Sequence, residues 1–447
     1  MALDPSYYDD LADRLSPEGQ RSDWWAMRIL QITSNDSKTG GAIAVTRLQE
    51  ALIKQGHTSC ILSFADVVVS DDVKRIERPL LLRGLDGIAR RVSNALALPN
   101  LFKPSVMLIW RAIAEFQPDI IHLHWTYYHG LPLSMLPALT QRYPLIWTFH
   151  DMYAFTGGCT NSLNCDRWRT GCGDCPQLRG GPISSMLPMR RDSTAQLWRI
   201  KRRLYGHSRF SVVGPSRWMT ELAKHSPLLM GKTVYHVPNG LDTDFWKPLD
   251  RMACKTILDI APKSKVLLFV GKPDNIFAYP GRRDVLLQTL ANLRKLIPQS
   301  TVQTTLLLIG DGGQRFKAVG YKVVAVRAVT NPTLMRICYN AADVLIDPTQ
   351  FDNLPGVIQE AMACGTPVVA SNVGGVSDMI RHQETGYLAQ KNEPREFASG
   401  VQNLLRDPDL WSDMSRHARQ LAIELFHDGV VSQKMISVYA DEIARIE

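Results

Sequence analysis

Two carboxylates flank the start of one short helix in 351-FDNLPGVIQEAMACGTPVVAS-371, where seven residues, Pro355 and Gly356 among them, separate Asp352 from Glu360. Pro355 suits a first helical turn, because its missing N–H would lack a partner there anyway, and Gly365 suits the residue just past the end. The expected helix runs from Leu354 to Cys364. Its free amides and positive dipole end face the loop carrying Asp352 and Asn353, an anion site that a diphosphate would fit. Asp352 would then meet the group on the distal phosphate, and Glu360 would accept hydrogen bonds from a vicinal diol such as ribose. The same residues also suit a capped helix whose acids are merely solvated.

A second cluster lies in 157-GGCTNSLNCDRWRTGCGDC-175, where Cys159, Cys165, Cys172 and Cys175 follow a C-x5-C-x6-C-x2-C spacing. Four thiolates satisfy tetrahedral zinc, and a loop rich in Gly, Asp and Asn offers little apolar surface to order it otherwise. The expectation is one structural zinc, with free or redox thiols second and an iron–sulfur cluster a poor third. A closed four-thiolate site leaves no position for chemistry. Further upstream, Gly40 and Gly41 in 33-TSNDSKTGGAIAV-45 follow an apolar run and open a helix, so their backbone can approach a phosphate or sugar closely.

The elements that must position these residues alternate in a regular way. Short apolar runs (MRILQIT, HTSCILS, IIHLHW, PLIWTFHD, FSVVGPS and VYHVPNG, then KVLLFVGK, TTLLLIGDG, KVVAV, VLIDPT and TPVVASNVGG) are separated by helix-length amphipathic segments. That is the pattern of parallel sheets covered by helices, which gather ligands at the carboxyl ends of their strands. The α/β reading divides 447 residues into an extension (1–26), a first doubly wound domain (27–240), a second (241–430), and a closing helix (431–447) that reaches back toward the first. The punctuated run 238-PNGLDTDFWKP-248 marks the junction.

Composition narrows the partners. A formal net charge of +8 favours contact with something anionic. No motif of interleaved basic and aromatic residues supports nucleic acid. No apolar run spans a bilayer and no secretory signal opens the chain, so the expected location is cytoplasmic. In 81-LLRGLDGIARRVSNALAL-98, apolar residues at Leu81, Leu85, Ile88, Val92 and Leu96 alternate with Arg83, Arg90 and Arg91. This reads either as an amphipathic helix lying on an anionic membrane surface or as a helix packed on the sheet. A more basic run, 197-LWRIKRRLYGHSR-209, reads as a packed helix.

Taken in chain order, ITSNDSKTGGAIAVTRL, TFHD, VVGPSRWM, VPNGLDTDFWKP, LLFVGK, IGDGG, YNAADVLIDPT and the run from Asp352 to Gly375 resemble glycosyltransferase family 4, from Met27 to the C-terminus. The resemblance implies the GT-B architecture: two Rossmann-like domains facing a cleft, with the donor held mainly by the second. It implies retaining transfer from a UDP- or GDP-linked nucleotide sugar, without a catalytic metal, to a saccharide or lipid-linked saccharide acceptor. Cell-surface or exopolysaccharide assembly at the inner face of the membrane is the implied setting. By the same resemblance Asp352 contacts the donor sugar, although the family usually has Glu there, and His150 lies near the reacting carbon. Gly40, Gly41, Gly271, Lys272, Arg282, Asn353, Leu354 and Glu360 face the donor. Lys272 stands where most members have Arg, and Gly281 where they have Lys, with Arg282 and Arg283 following. Those departures leave open an alternative, a nucleotide-binding scaffold of the same fold that has lost transferase activity.

Overall fold

The computed structural model describes residues 26–34, 40–63, 73–75, 79–95, 105–125, 131–178, 192–271, 282–297, 302–310, 316, 320–327 and 331–445. Lys272 and Gly281 lie outside the described residues, as does the 1–25 stretch. The first sheet contains β1 (Arg28–Thr33), β2 (Thr58–Ser63), β3 (Val73–Arg75), β4 (Ile120–Leu123), β5 (Leu145–Thr148), β6 (Ser211–Gly214) and β7 (Val234–His236). The second contains β8 (Lys265–Val270), β9 (Thr304–Ile309), β10 (Lys322–Val326), β11 (Val344–Asp347), β12 (Val368–Ser371) and β13 (Gly386–Ala389). All pairings among the described residues are parallel. β3 and β13 are the strands that the reading of apolar runs omits.

Strand order is β3-β2-β1-β4-β5-β6-β7 in one sheet and β10-β9-β8-β11-β12-β13 in the other. Each order reverses once, between β1 and β4 and between β8 and β11. At such a switch point the connections leave to opposite faces and open a crevice beyond the strand ends. The strands that flank the crevices are buried over most of their length, as in sheets covered on both faces.

The chain crosses between the sheets twice. At the crossing Leu241 N donates to Phe426 O at 2.7 Å and Asp428 N to Leu241 O at 3.0 Å, so the outgoing and returning segments bond to each other. The Asp428–Ala444 helix then packs Val431, Met435, Val438 and Tyr439 on Ile29, Ile120 and Ile146 of the first sheet. Each such burial is worth roughly 1.5–3 kcal/mol. The Tyr439 hydroxyl also lies 2.7 Å from His122 Nδ1 beneath β4. The Thr194–Gly206 helix buries Leu197, Trp198 and Tyr205, a packed helix as its sequence suggests. The Leu80–Ala95 helix behaves differently, leaving Leu80, Leu81, Leu85, Ile88 and Val92 exposed.

Candidate active site

A cavity of about 350 Å³ lies where the two crevices face each other. Its wall on the first sheet carries Gly40 and Gly41 beyond β1, Trp125 beyond β4 and His150 beyond β5. Its wall on the second carries Gly271 beyond β8 and Asp347 at the end of β11, then the loop of Asp352, Asn353 and Leu354. The Gly356–Ala363 helix points its N-terminus into this space with no side chain capping it. The helix begins later than the sequence suggests. Pro355 has ψ 119°, an extended value, and serves as the cap instead of the first turn. At the other end Gly365 has φ +72°, its N–H reaching Met362 O at 2.9 Å and the Thr366 N–H reaching Ala361 O at 2.9 Å, the paired closure that a left-handed residue permits.

The two acids have different surroundings. Glu360 Oε1 accepts from Arg47 Nη2 at 2.6 Å and Oε2 from the Tyr339 hydroxyl at 2.8 Å. Asp352 Oδ1 accepts from the Asn353 N–H at 2.8 Å. Burial, and then the neighbouring negative charge of Asp347, push the Asp352 carboxyl up to about 7. Asp347 is itself paired, with Arg282 Nη2 at 2.5 Å from its Oδ1. Arg282 also donates to Val270 O at 3.1 Å, which fixes its guanidinium at the cavity wall.

Asn353 is used differently from the expectation. Its Nδ2 donates to Phe149 O and His150 O, each at 3.1 Å, and its Oδ1 accepts from Ser216 Oγ at 2.5 Å. The side chain fastens the loop to the opposite sheet, so only its backbone and neighbours remain for a ligand.

Histidines and one tryptophan form the floor. Gln31 Oε1 lies 3.0 Å from His124 Nε2, and His124 Nδ1 lies 3.1 Å from His150 Nε2. Burial pushes His150 down to about 3 and His124 well below its ordinary value, so both are neutral at pH 7. A carbonyl oxygen at His124 Nε2 places the proton there, His124 Nδ1 then accepts, and His150 Nε2 donates. His150 Nδ1 is left as a hydrogen-bond acceptor. Trp125 stacks on His150 with centroids 3.9 Å apart, and its Nε1 donates to Asp151 Oδ2 at 2.9 Å. A Cβ at residue 41 would lie 1.6 Å from the Trp125 indole, whereas one at Gly40 would meet nothing within 4 Å. Gly41 is therefore required by the indole, a reason its sequence context does not reveal.

The four cysteines converge on one small cavity of about 20 Å³, also lined by Trp168, and all four are free thiols. Burial pushes Cys159 up to about 12 and Cys172 up to about 11, although the Gly157 N–H donates to Cys172 Sγ at 3.2 Å. Among the described residues no group of three or more His, Cys, Asp or Glu is placed to hold a metal ion, so the zinc expectation gains no support from the geometry. The premise of a core-poor loop is also corrected. Trp168 is buried within it against Phe155 just upstream, and the Trp198 indole donates to Trp168 O at 2.9 Å. Beneath it the fully buried Lys201 donates to Tyr153 O and Thr156 O.

Asp347, Arg47, Trp125 and Tyr339 are the site residues that sequence reading misses. Asp347 had a signal, as the acid ending the run VLIDP. Arg47 and Tyr339 had none, since they meet Glu360 across 313 and 21 residues.

Comparison with known proteins bears on the family and the fold. The family described as Glycosyltransferase Family 4 matches residues 39–245, and that described as Glycosyl transferases group 1 matches residues 264–407. Among curated relatives, a D-inositol 3-phosphate glycosyltransferase of Rhodococcus jostii is 30% identical over 45% of this chain and 47% of its own. One from Jonesia denitrificans is 24% identical over 90% of each. The chain thus aligns with about half the length of the first relative and most of the second. Among solved structures, sucrose-phosphate synthase from Thermosynechococcus elongatus superposes with a TM-score of 0.66 at 19% identity, covering 93% of this chain and 99% of that one. Anabaena HepE in complex with UDP gives 0.62 at 17% identity, covering 93% and 100%. No described helix is long and apolar enough to cross a membrane. With each half matched by a glycosyltransferase family and the whole taking their fold, the chain belongs to the family-4 type of GT-B glycosyltransferases.

Proposed function

We propose that this enzyme transfers a sugar from a nucleoside diphosphate sugar to a saccharide hydroxyl with retention of configuration and with no catalytic metal. The observation that carries the reading is the uncapped helix N-terminus facing a cavity bounded by Arg282, Asp352 and His150. Backbone amides and the helix dipole bind the diphosphate and stabilise the charge that builds on it as the sugar departs. Arg282 adds a fixed positive charge beside it. The His150 Nδ1 lone pair and the Asp352 carboxyl receive sugar hydroxyls, which orients the reacting carbon without a proton being abstracted. The acceptor hydroxyl attacks from the face of the departing phosphate, whose oxygen takes the hydroxyl proton as its own bond to the sugar carbon breaks, and this gives retention.

Anabaena HepE binds UDP and UDP-glucose, which favours a UDP-linked donor here, with GDP as the alternative base. For the acceptor, the exposed apolar helix near the first sheet favours a lipid-linked saccharide presented at an anionic cytoplasmic membrane surface. The curated relatives carry the name D-inositol 3-phosphate glycosyltransferase, so a phosphorylated polyol is the second acceptor reading. The test is incubation with a panel of UDP-, GDP- and ADP-sugars and both acceptor classes, reading nucleotide release and the anomer of the product. Nucleotide binding with no turnover of any donor would replace the transferase by a scaffold, and an inverted product would remove the retaining step.

A further inference from the structure

The carboxylate assigned to the ribose is already occupied. Both Glu360 oxygens have partners, Tyr339 on one and Arg47 on the other at 2.6 Å. Tyr339 lies in the same half of the molecule as Glu360, but Arg47 belongs to the Gly40–Lys54 helix of the first sheet. The pair therefore closes the cleft across the nucleotide pocket. Its two side chains are only 16% and 12% exposed, so the charges are largely shielded from competing water. The Arg47 guanidinium rests 5.6 Å from the Trp246 ring centroid, at the start of the second half. Gly356, the first residue of the helix that faces the diphosphate, is close by. A Cβ on it would lie 4.0 Å from the same Glu360 oxygen that Arg47 holds.

We infer that Arg47 is a stand-in for the ribose: it holds Glu360 while the site is empty and gives the carboxylate up to the vicinal diol of an incoming nucleoside diphosphate. The inference rests on the reading of Glu360 as the ribose acceptor. A diol taking both carboxylate oxygens must displace their present partners, and Arg47, which lines the cavity, holds the oxygen nearest the helix N-terminus. Nucleotide binding then breaks an ion pair between the halves, and the measured affinity is lowered by the fraction of molecules in which the pair is formed. Removing the guanidinium should thus strengthen binding, the opposite of what removing a ligand residue does.

The experiment is titration calorimetry with UDP and with GDP on the full chain. Arg47→Met, which keeps an apolar stem against Trp246, is expected to bind nucleotide about threefold or more tightly than the wild type. Arg47→Lys, which can still pair, is expected to lie between them. In the Arg47→Met background, where no stand-in remains, Glu360→Gln should weaken binding about tenfold by replacing a charged acceptor with a neutral one. Hydrogen exchange on the wild type gives a second readout that does not depend on a variant folding, since amides near Arg47 should exchange faster once UDP is bound. Weaker or unchanged binding by Arg47→Met, or slower exchange near Arg47 with UDP, would overturn the stand-in role while leaving Glu360 as the ribose acceptor. Unchanged binding by Glu360→Gln in that background would overturn the ribose reading and the inference with it.

Discussion

Asp352 is the group whose charge in the cavity depends most on pH near neutrality. Its folded value near 7 exceeds that of an unfolded aspartate, about 3.9, because burial and Asp347 disfavour the anion. From pH 4 to 7 the folded chain keeps a proton that the unfolded chain releases, so stability falls as pH rises through that window, and the loss is complete above it. Asp352→Asn cannot ionise and is spared this loss. Its melting temperature relative to wild type should climb between pH 4 and 7 and level off beyond, as a calorimetric pH series would show. An equal difference at pH 5 and pH 8 would mean that Asp352 titrates normally. Arg282 carries a different expectation, because Arg282→Ala strands Asp347, whose side chain is 2% exposed. Breaking such a pair costs about 3–5 kcal/mol. Turnover and stability should fall together, with Arg282→Lys recovering part of both. The acid pair was legible in the sequence because helix spacing and end signals are local. Arg47 and Trp125 were not, since what makes them site residues is contact with groups distant in the chain, Glu360 across the cleft for Arg47 and His150 for Trp125.

At the scale of elements, the strands were readable where an apolar run marks them, at the edges β7 and β10 as well as in the centre. β3 is a three-residue edge strand, and β13 reads GYLA with a glycine at its start, so neither offers the apolar run that marks a buried strand. The glycine pair tells a similar story. Its place at a strand end was visible, but the indole that demands Gly41 comes from beyond β4. Gly41→Ala should therefore lower the melting temperature and nucleotide affinity, and Trp125→Leu in the same chain should restore part of both, because the obstructing ring is gone. Without such rescue in the double variant, measured by thermal shift with and without UDP, the close contact would not be the reason for glycine. The cysteine-bearing loop supports a prediction of its own. A four-thiolate site would carry about one equivalent of zinc in protein purified under reducing conditions, although among the described residues no three of these thiols are placed to hold one. Cys172→Ser should lose it. Metal-free protein with an intact loop would leave Phe155 and Trp168 as what orders this segment.

For the molecule as a whole, the proposed lipid-linked acceptor raises the question of how the cleft would reach a membrane when no described helix is long and apolar enough to cross one. The Leu80–Ala95 helix supplies an answer in its spacing. Leu81, Leu85, Ile88 and Val92 recur at intervals of a helical face, and they are 76%, 43%, 58% and 53% exposed. An exposed stripe of this kind is costly in water and suits the acyl boundary of a bilayer, with basic residues reaching the headgroups. Arg83 and Arg91 share the helix, and the chain carries a net +8, so any lipid surface proposed for it would be an anionic one. Each basic residue near such a surface contributes about 1 kcal/mol, which salt screens, whereas the apolar contribution does not fade with salt. The expected outcome is co-sedimentation with vesicles containing phosphatidylglycerol but not with phosphatidylcholine alone, weakening as salt rises. Replacing Arg83 and Arg91 by Glu should abolish the dependence on lipid charge, while Leu81→Ser with Ile88→Ser should reduce binding at every salt concentration. Turnover of a soluble acceptor should survive both changes, because the helix contributes nothing to the cavity walls. If all variants sediment as the wild type does, this face does not meet lipid, and the soluble phosphorylated polyol becomes the better acceptor reading.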